Sequence, residues 1–387
     1  MGNYIFWFAV VLLGHSYVLY PALLKYLSRG KKLQEKSESN DLPIVSVLMA
    51  VYNEEKVIRA KLESIFNSNY PSDKIELVVG SDGSTDMTDA VIQEFIDRGH
   101  SIQFTSFGGR TGKSGIINQI YSKARGSVFI PTDANILFSA DMVSKLVRHF
   151  ENERIGLVGA NILNTGMKKQ GISFQEEAYI QRENLIKYRE GVVWGCMMGA
   201  FGACYAIRAK LFPVIPDNFL MEDFYITMSV IDNGYYSICD LSAEAEEDVS
   251  DQLKEEFKRK IRISAGNYQN LNVFGHMLWP VWRPIGFAFF SHKLIRWIGP
   301  FLLIIALASN IVIWKQNLFY TLTLVIQIFI WLSPLIDQLL KRLNIHTFGL
   351  RLIAYFMSMN IALLVGLVKY LRGVRTSAWS PTKRNVE

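Results

Sequence analysis

Cysteine is scarce in this sequence: three in 387 residues. Cys196, Cys204 and Cys239 are odd in number and none stands at a metal-ligand spacing. That excludes a disulfide framework and a zinc cluster, and leaves small buried side chains in a reducing compartment. Histidine is equally sparse, six scattered residues with no H-E-x-x-H pattern. No G-x-G-x-x-G follows the first strand-like run, which argues against a dinucleotide-binding protein, and "GGRTGKSG" lacks the spacing of a P-loop. There is no internal repeat and no long low-complexity run. No lysine or arginine precedes the first apolar run, whereas a secretory signal carries its positive charge there.

What the chain has in excess is apolar residues. Half are hydrophobic and the mean hydropathy is +0.16. Four runs, Tyr4 to Leu24, Trp297 to Trp314, Leu318 to Ile336 and Leu352 to Val368, each approach the ~20 residues that a bilayer core requires. Buried core helices are the rival reading, but soluble helices are seldom apolar all round. Lys25, Arg29, Lys31, Lys32 and Lys36 follow the first run. By the positive-inside rule they place the segment after it in the cytoplasm. Three further spans would put the C-terminus outside, yet Lys369, Arg372, Arg375, Lys383 and Arg384 crowd that end. Either one late segment does not cross or the rule fails there. The net charge of +6 suits an anionic inner leaflet. Many of the basic residues flank the spans, which favours membrane lipid over nucleic acid as the partner.

Between the spans the texture changes. "PIVSVLMAVYNEE", "IELVVGSDGSTD", "SIQFTS" and "SVFIPTDAN" read as strands, with helical periods in the stretches that follow the first three. This alternation predicts an α/β domain with a mainly parallel sheet. Ligands of such sheets sit beyond the carboxyl ends of the strands. Those ends carry Tyr52, Asn53, Glu54 and Glu55, then Ser81 to Asp86, then Asp133, Ala134 and Asn135. So many carboxylates on one rim call for a positive partner. Lys113, opening a helix, is one candidate, and a divalent cation on Asp133 and Asn135 is another, since oxygen ligands suit Mg2+ or Mn2+. A turn or a helix cap explains Asp-x-Asn equally well on its own.

In this order and spacing, "VSVLMAVYNEE", "VVGSDGSTD" and "FIPTDANILF" resemble glycosyltransferase family 2, inverting nucleotide-sugar enzymes with a GT-A fold, and most closely the membrane-bound, cellulose-synthase-like bacterial branch. The resemblance implies that Ala50, Tyr52 and Glu54 hold the nucleotide base and that Asp82 contacts the uridine of a UDP-sugar. Asp133-Ala134-Asn135 stands where the family has D-x-D, binding Mg2+ or Mn2+ and the sugar diphosphate, with Asn135 replacing the second Asp. "GAFGACYAIRAKLF" (199–212) resembles the acceptor side. Glu222-Asp223 resembles the E-D motif, with Asp223 the catalytic base. Acids there would also suit the first turn of any helix. In "EFKRKIRISAGNYQN", Arg259 and Arg262 fall at the Gln and Arg of the Q-x-x-R-W motif of processive synthases, and Ile263 replaces the Trp. Arg262 would still serve the diphosphate.

The expected layout is an anchor at 1–28, a polar linker at 29–41, a cytoplasmic GT-A domain at 42–270 and an interfacial aromatic segment at 271–294. Transmembrane helices at 295–370 and a basic tail at 371–387 complete it, in the bacterial plasma membrane. The helix around Ser173 to Glu190 reads as solvated. The expected reaction moves a sugar from a UDP-sugar to a carbohydrate or lipid-linked hydroxyl. A transferase acting on polyprenyl phosphate and a non-catalytic nucleotide-binding subunit are the alternatives.

Overall fold

In the computed structural model, eight strands form one sheet: β1 (Val45–Val51), β2 (Ile75–Ser81), β3 (Ile102–Ser106), β4 (Val128–Thr132), β5 (Ile136–Phe138), β6 (Ile155–Thr165), β7 (Tyr205–Arg208) and β8 (Tyr236–Asp248). The structure describes residues 1–33, 41–165, 173–202, 204–248, 253–343, 345 and 347–377. Most of the linker, Ala203 and the end of the basic tail therefore lie outside the described residues. The chain divides into two units. One comprises Met1–Tyr26, Glu256–Tyr268 and Leu278–Gly373, and the other Leu27–Glu255, Gln269–Met277 and Val374–Glu387.

The sheet belongs to the second unit. Its strand order is β3-β2-β1-β4-β7-β6-β8-β5. β3, β2, β1 and β4 run parallel, as the alternating pattern predicts. β7 runs antiparallel to both its neighbours, and β5 runs antiparallel to β8. Every residue of β1 and β2 is buried. Alternate side chains enter opposite layers, as the period of two requires: Val47, Met49 and Val51 join one apolar cluster, Leu48 and Ala50 the other. Helices Ile58–Phe66 and Thr88–Asp97 cover the first face, and Lys113–Ile120 and Glu222–Asp232 the second.

Register sets the rim. Val51 stands opposite Ser81, and Met49 opposite Thr132, so Tyr52 and Asp82 leave the sheet level with each other, and Asp133 leaves the same end of the sheet at the level of Ala50, two residues earlier. A lone antiparallel bridge from Thr132 to Cys204 brings in the end of the 199–204 loop. "IPTDANILF" is two strands rather than one. Asp133 to Asn135 form the turn by which the chain leaves the parallel half and crosses to an edge strand.

The first unit is helical. Four helices among the described residues are long and apolar enough to cross a membrane: Gly2–Leu27, Gly299–Gln316, Leu318–Arg342 and Phe348–Leu371. Ala9 of the first packs with Leu302 and Ala306 of the second. His15 and Ser16, the polar interruption of the first run, open a π-helical turn there. His15 Nε2 lies 2.8 Å from Ser291 Oγ, itself in a second π-helical turn. Trp279 and Trp282, in the aromatic segment, are exposed, as interfacial anchors would be.

Candidate active site

Two loops meet first. Asn53 turns the chain after β1 with a φ of 51° and accepts the Thr85 N–H at 2.8 Å. Asn and Asp are the side chains that tolerate this left-handed conformation best after glycine. The Glu54 N–H donates to Thr88 Oγ1 at 2.8 Å. The Asp82 carboxylate, wholly buried, accepts the Thr111 N–H (2.6 Å), Thr111 Oγ1 (3.0 Å), the Gly112 N–H (3.0 Å) and Arg110 Nε (3.1 Å). Gly112, with a φ of 87°, takes a conformation that an L side chain would resist. Arg110 also lies 3.3 Å over the Tyr52 ring, so one guanidinium joins two of the residues expected to hold a nucleotide. Ala50 sits within β1, its side chain in the apolar layer. Asp82→Ala would strip the acceptor from two backbone N–H groups and a guanidinium. Leaving a buried donor such as the Gly112 N–H unsatisfied typically costs about 1–3 kcal/mol. A fall of several degrees in the melting temperature of the detergent-purified protein is the expected result.

The second group centres on Lys113, first residue of its helix. Its ammonium lies 2.7 Å from Asp133 Oδ1 and 2.6 Å from Glu222 Oε1. Burial works against the charge, but the two carboxylates outweigh it and hold the Lys113 pKa well above its usual value. Asp133 stays 39% exposed, open to a ligand. Asn135 points its amide nitrogen at Glu247 Oε1, 3.5 Å away, which turns its amide oxygen from that carboxylate. Ala134 is buried beneath. Among the described residues no three His, Cys, Asp or Glu side chains gather to cage an ion. One carboxylate and one amide fit instead a cation that takes its remaining ligands from phosphate and water, the usual habit of Mg2+.

Asp223 follows Glu222 in the first turn of helix Glu222–Asp232 and is 8% exposed. Burial, then the charge of Glu222, push its pKa up to about 6, against the pull of Lys113, the Phe224 N–H and Lys187. Its backbone carbonyl accepts from Thr227 Oγ1 at 2.7 Å, and that hydroxyl accepts the Ala200 N–H at 3.0 Å. The 199–202 loop is thereby laid on the helix. A Cβ at Gly202 would come 2.9 Å from Asp223 Oδ2, and one at Gly199 would come 2.5 Å from the Phe224 ring. Glycine is what lets this loop approach the carboxylate.

The helix expected to be solvated is not. In Ser173–Trp194, Glu183, Asn184, Lys187 and Glu190 are buried. Glu190 accepts the Met198 N–H at 3.0 Å, Asn184 donates to Asn161 Oδ1 at 2.8 Å, and Lys187 lies 3.3 Å over the Phe201 ring. These groups satisfy loop backbone and side chains, which a charge pattern alone does not reveal. Lys61 is another residue that the motifs pass over. It is wholly buried beneath the Asp133 turn, and burial pushes its pKa down to about 7, with Cys204 and Asp133 acting the other way. Its place on the apolar face of its helix, among Ile58, Leu62 and Ile65, was the available signal. Arg259 and Arg262 lie on helix Leu253–Phe274 in the first unit, where Arg259 pairs with Glu256 at 3.5 Å.

The fold agrees with comparisons to known proteins. The model of the glycosyl transferase family 2 matches residues 46–212, and that of glycosyl transferase family group 2 matches residues 130–369. A probable glycosyltransferase, YdaM, of Bacillus subtilis (strain 168) is 26% identical over 289 residues, 69% of this chain and 67% of its own. A beta-monoglucosyldiacylglycerol synthase of Nostoc is 29% identical over 39% of this chain and 33% of its own. A poly-beta-1,6-N-acetyl-D-glucosamine synthase of Staphylococcus epidermidis is 27% identical over 37% and 34%. The chain thus spans only about a third of the last two. A solved structure, the mannosyltransferase PcManGT from Pyrobaculum calidifontis in complex with GDP-Man and Mn2+, superposes with a TM-score of 0.72 over 95% of this chain and 99% of its own, at 19% identity. A Rossmann-like, mainly parallel sheet with its polar rim, matched along most of its length, is a GT-A fold, and the chain belongs to glycosyltransferase family 2 and is a glycosyltransferase.

Proposed function

We propose that this chain is a membrane-bound, inverting glycosyltransferase. It moves a sugar from a nucleoside-diphosphate donor, a UDP-sugar, to a hydroxyl of a carbohydrate or lipid acceptor at the cytoplasmic face of the plasma membrane. One observation carries the reading: Lys113 ties Asp133, at the end of a central strand, to Glu222, the neighbour of the buried carboxylate Asp223. Donor-side and acceptor-side groups thus stand within one side chain's reach.

Asp223, raised to about 6, is ionised at neutral pH yet basic enough to take the acceptor's hydroxyl proton. The acceptor oxygen forms its bond to the anomeric carbon on the face opposite the diphosphate, and the bond to the diphosphate oxygen breaks with inversion. Lys113 moves from its carboxylates toward the leaving diphosphate. Asp133, with Asn135, would hold Mg2+ or Mn2+, which when bound neutralises charge on the diphosphate. The linked side chains of Tyr52, Arg110 and Asp82, from three separate loops, support the nucleotide end. The basic cluster after the first apolar helix supports the cytoplasmic orientation, and the relatives named as synthases of monoglucosyldiacylglycerol and of poly-N-acetylglucosamine support a lipid or polysaccharide product.

The test is a panel of UDP-glucose, UDP-galactose, UDP-N-acetylglucosamine and GDP-mannose, with Mn2+ or Mg2+ and detergent-purified protein. Product anomers would be read by NMR. A β-linked product from an α-linked UDP-sugar is expected. Retention of the α configuration, or turnover with GDP-mannose alone, contradicts the reading.

A further inference from the structure

Lys61 lies under the turn that bears Asp133 and Asn135, and neither the family motifs nor the mechanism above gives it work. Its ammonium donates to Thr132 Oγ1 at 3.0 Å, on the last residue of β4, and to the Ile136 carbonyl at 2.5 Å, on the first residue of β5. Its remaining side lies 3.5 Å over the Phe138 ring. The side chain is wholly buried, and its hydrogen bonds go to uncharged acceptors. Burying an ammonium whose hydrogen bonds go to neutral acceptors is expensive, and an apolar residue of similar volume usually packs as well or better. Ile58, Leu62 and Ile65 fill the same helix face in the ordinary way. Packing therefore gives no reason for a lysine here.

The turn gives one. Between Thr132 and Ile136 the backbone leaves the parallel half of the sheet for the far edge, and in those few residues it must present two oxygen-bearing side chains outward. We propose that Lys61 is a positioning residue that clamps both ends of this turn from beneath, so that the oxygens of Asp133 and Asn135 stand in fixed relation to a divalent cation and its diphosphate. The inference rests on the reading of Asp133 as a cation ligand. Outer partners of metal ligands typically contribute 10–100-fold to metal affinity through such orientation. The bare charge of Lys61 works the other way, since a cation beneath the site repels one above it.

That opposition makes the test sharp. Mn2+ alone would be titrated into the full detergent-purified chain, with free ion read by electron paramagnetic resonance. Wild type, Lys61→Met, Thr132→Val and Asp133→Asn would be compared, with circular dichroism confirming the fold. Lys61→Met should weaken Mn2+ binding roughly 10–100-fold, and Thr132→Val, which removes one anchor of the clamp and keeps the lysine, should weaken it in the same direction. Unchanged or tighter binding by Lys61→Met, beside weakened binding by Asp133→Asn, overturns the inference and leaves the functional reading standing. Unchanged binding by Asp133→Asn overturns both. If Lys61→Met does not fold, Thr132→Val decides, and wild-type affinity there counts against the clamp.

Discussion

Asp223→Asn should lower kcat by about 10²–10⁴-fold, the range that a positioned general base supplies, while nucleotide binding stays near the wild-type value. The amide keeps the shape of the carboxylate, so its effect is on proton transfer rather than packing. The wild-type enzyme carries the matching signature in its pH profile. Burial and Glu222 raise the Asp223 pKa to about 6, so kcat/KM should be level above that value and fall tenfold per pH unit below it, as the base becomes protonated. The stability consequence has the opposite sense. A carboxyl with a raised native pKa favours the protonated fold, and stability is lost as pH rises from the ordinary carboxylate range through about 6. At pH 7.5 the amide variant should therefore melt no lower than wild type, which separates lost chemistry from lost structure. An acceptor that is already an anion, such as a polyprenyl phosphate, has no proton to give. Full activity of Asp223→Asn would identify that class of acceptor and remove the base from the mechanism.

Asp133→Ala should cost about 10²–10³-fold in kcat/KM, the scale of removing one preorganised group from a charged transition state. Two effects add. The carboxylate that would hold the cation is gone, and Lys113, paired with Asp133 at 2.7 Å and Glu222 at 2.6 Å, keeps only Glu222 and is drawn toward the base. The loss should therefore fall on kcat as well as on KM, and excess Mn2+ should restore little. Steady-state kinetics across a Mn2+ series checks this. A variant with wild-type kcat/KM and the wild-type Mn2+ response would remove Asp133 from the donor site.

The parallel half of the sheet was legible because β1, β2 and β4 are buried on both faces and read as largely apolar runs, interrupted by Ser46 and Glu76, that end in polar residues. The roles expected of Asp82, Asp133 and the Glu222-Asp223 pair came from the family resemblance rather than from local pattern, since Asp-x-Asn or a pair of acids at a helix start reads equally well as a turn or cap. The four long apolar helices were legible from length and composition, but the π-helical turns at His15 and Phe289 were not, since they depend on how helices pack. Several of the residues missed are cations. Lys61, Arg110 and Lys187 each serve a partner distant in sequence: Ile136, Asp82 and Phe201. Nothing in local periodicity marks such a pairing, and in Ser173–Trp194 the charges read as a wet surface although their partners make them interior. β6 and β8, the long strands that complete the sheet, pair with each other across about eighty residues, a separation at which no local pattern sets register.

The central claim is that donor and base meet on the rim where Lys113 joins Asp133 to Glu222. A cryo-electron-microscopy structure of the detergent-purified chain with UDP and Mn2+ tests it most directly. The expected map shows Mn2+ against Asp133 and the diphosphate, Lys113 turned from Glu222 onto phosphate oxygen, and Asp223 facing the open side of the site. Nucleotide bound away from Asp82 and Asp133, or Lys113 unmoved between its two carboxylates with nucleotide in place, would contradict it.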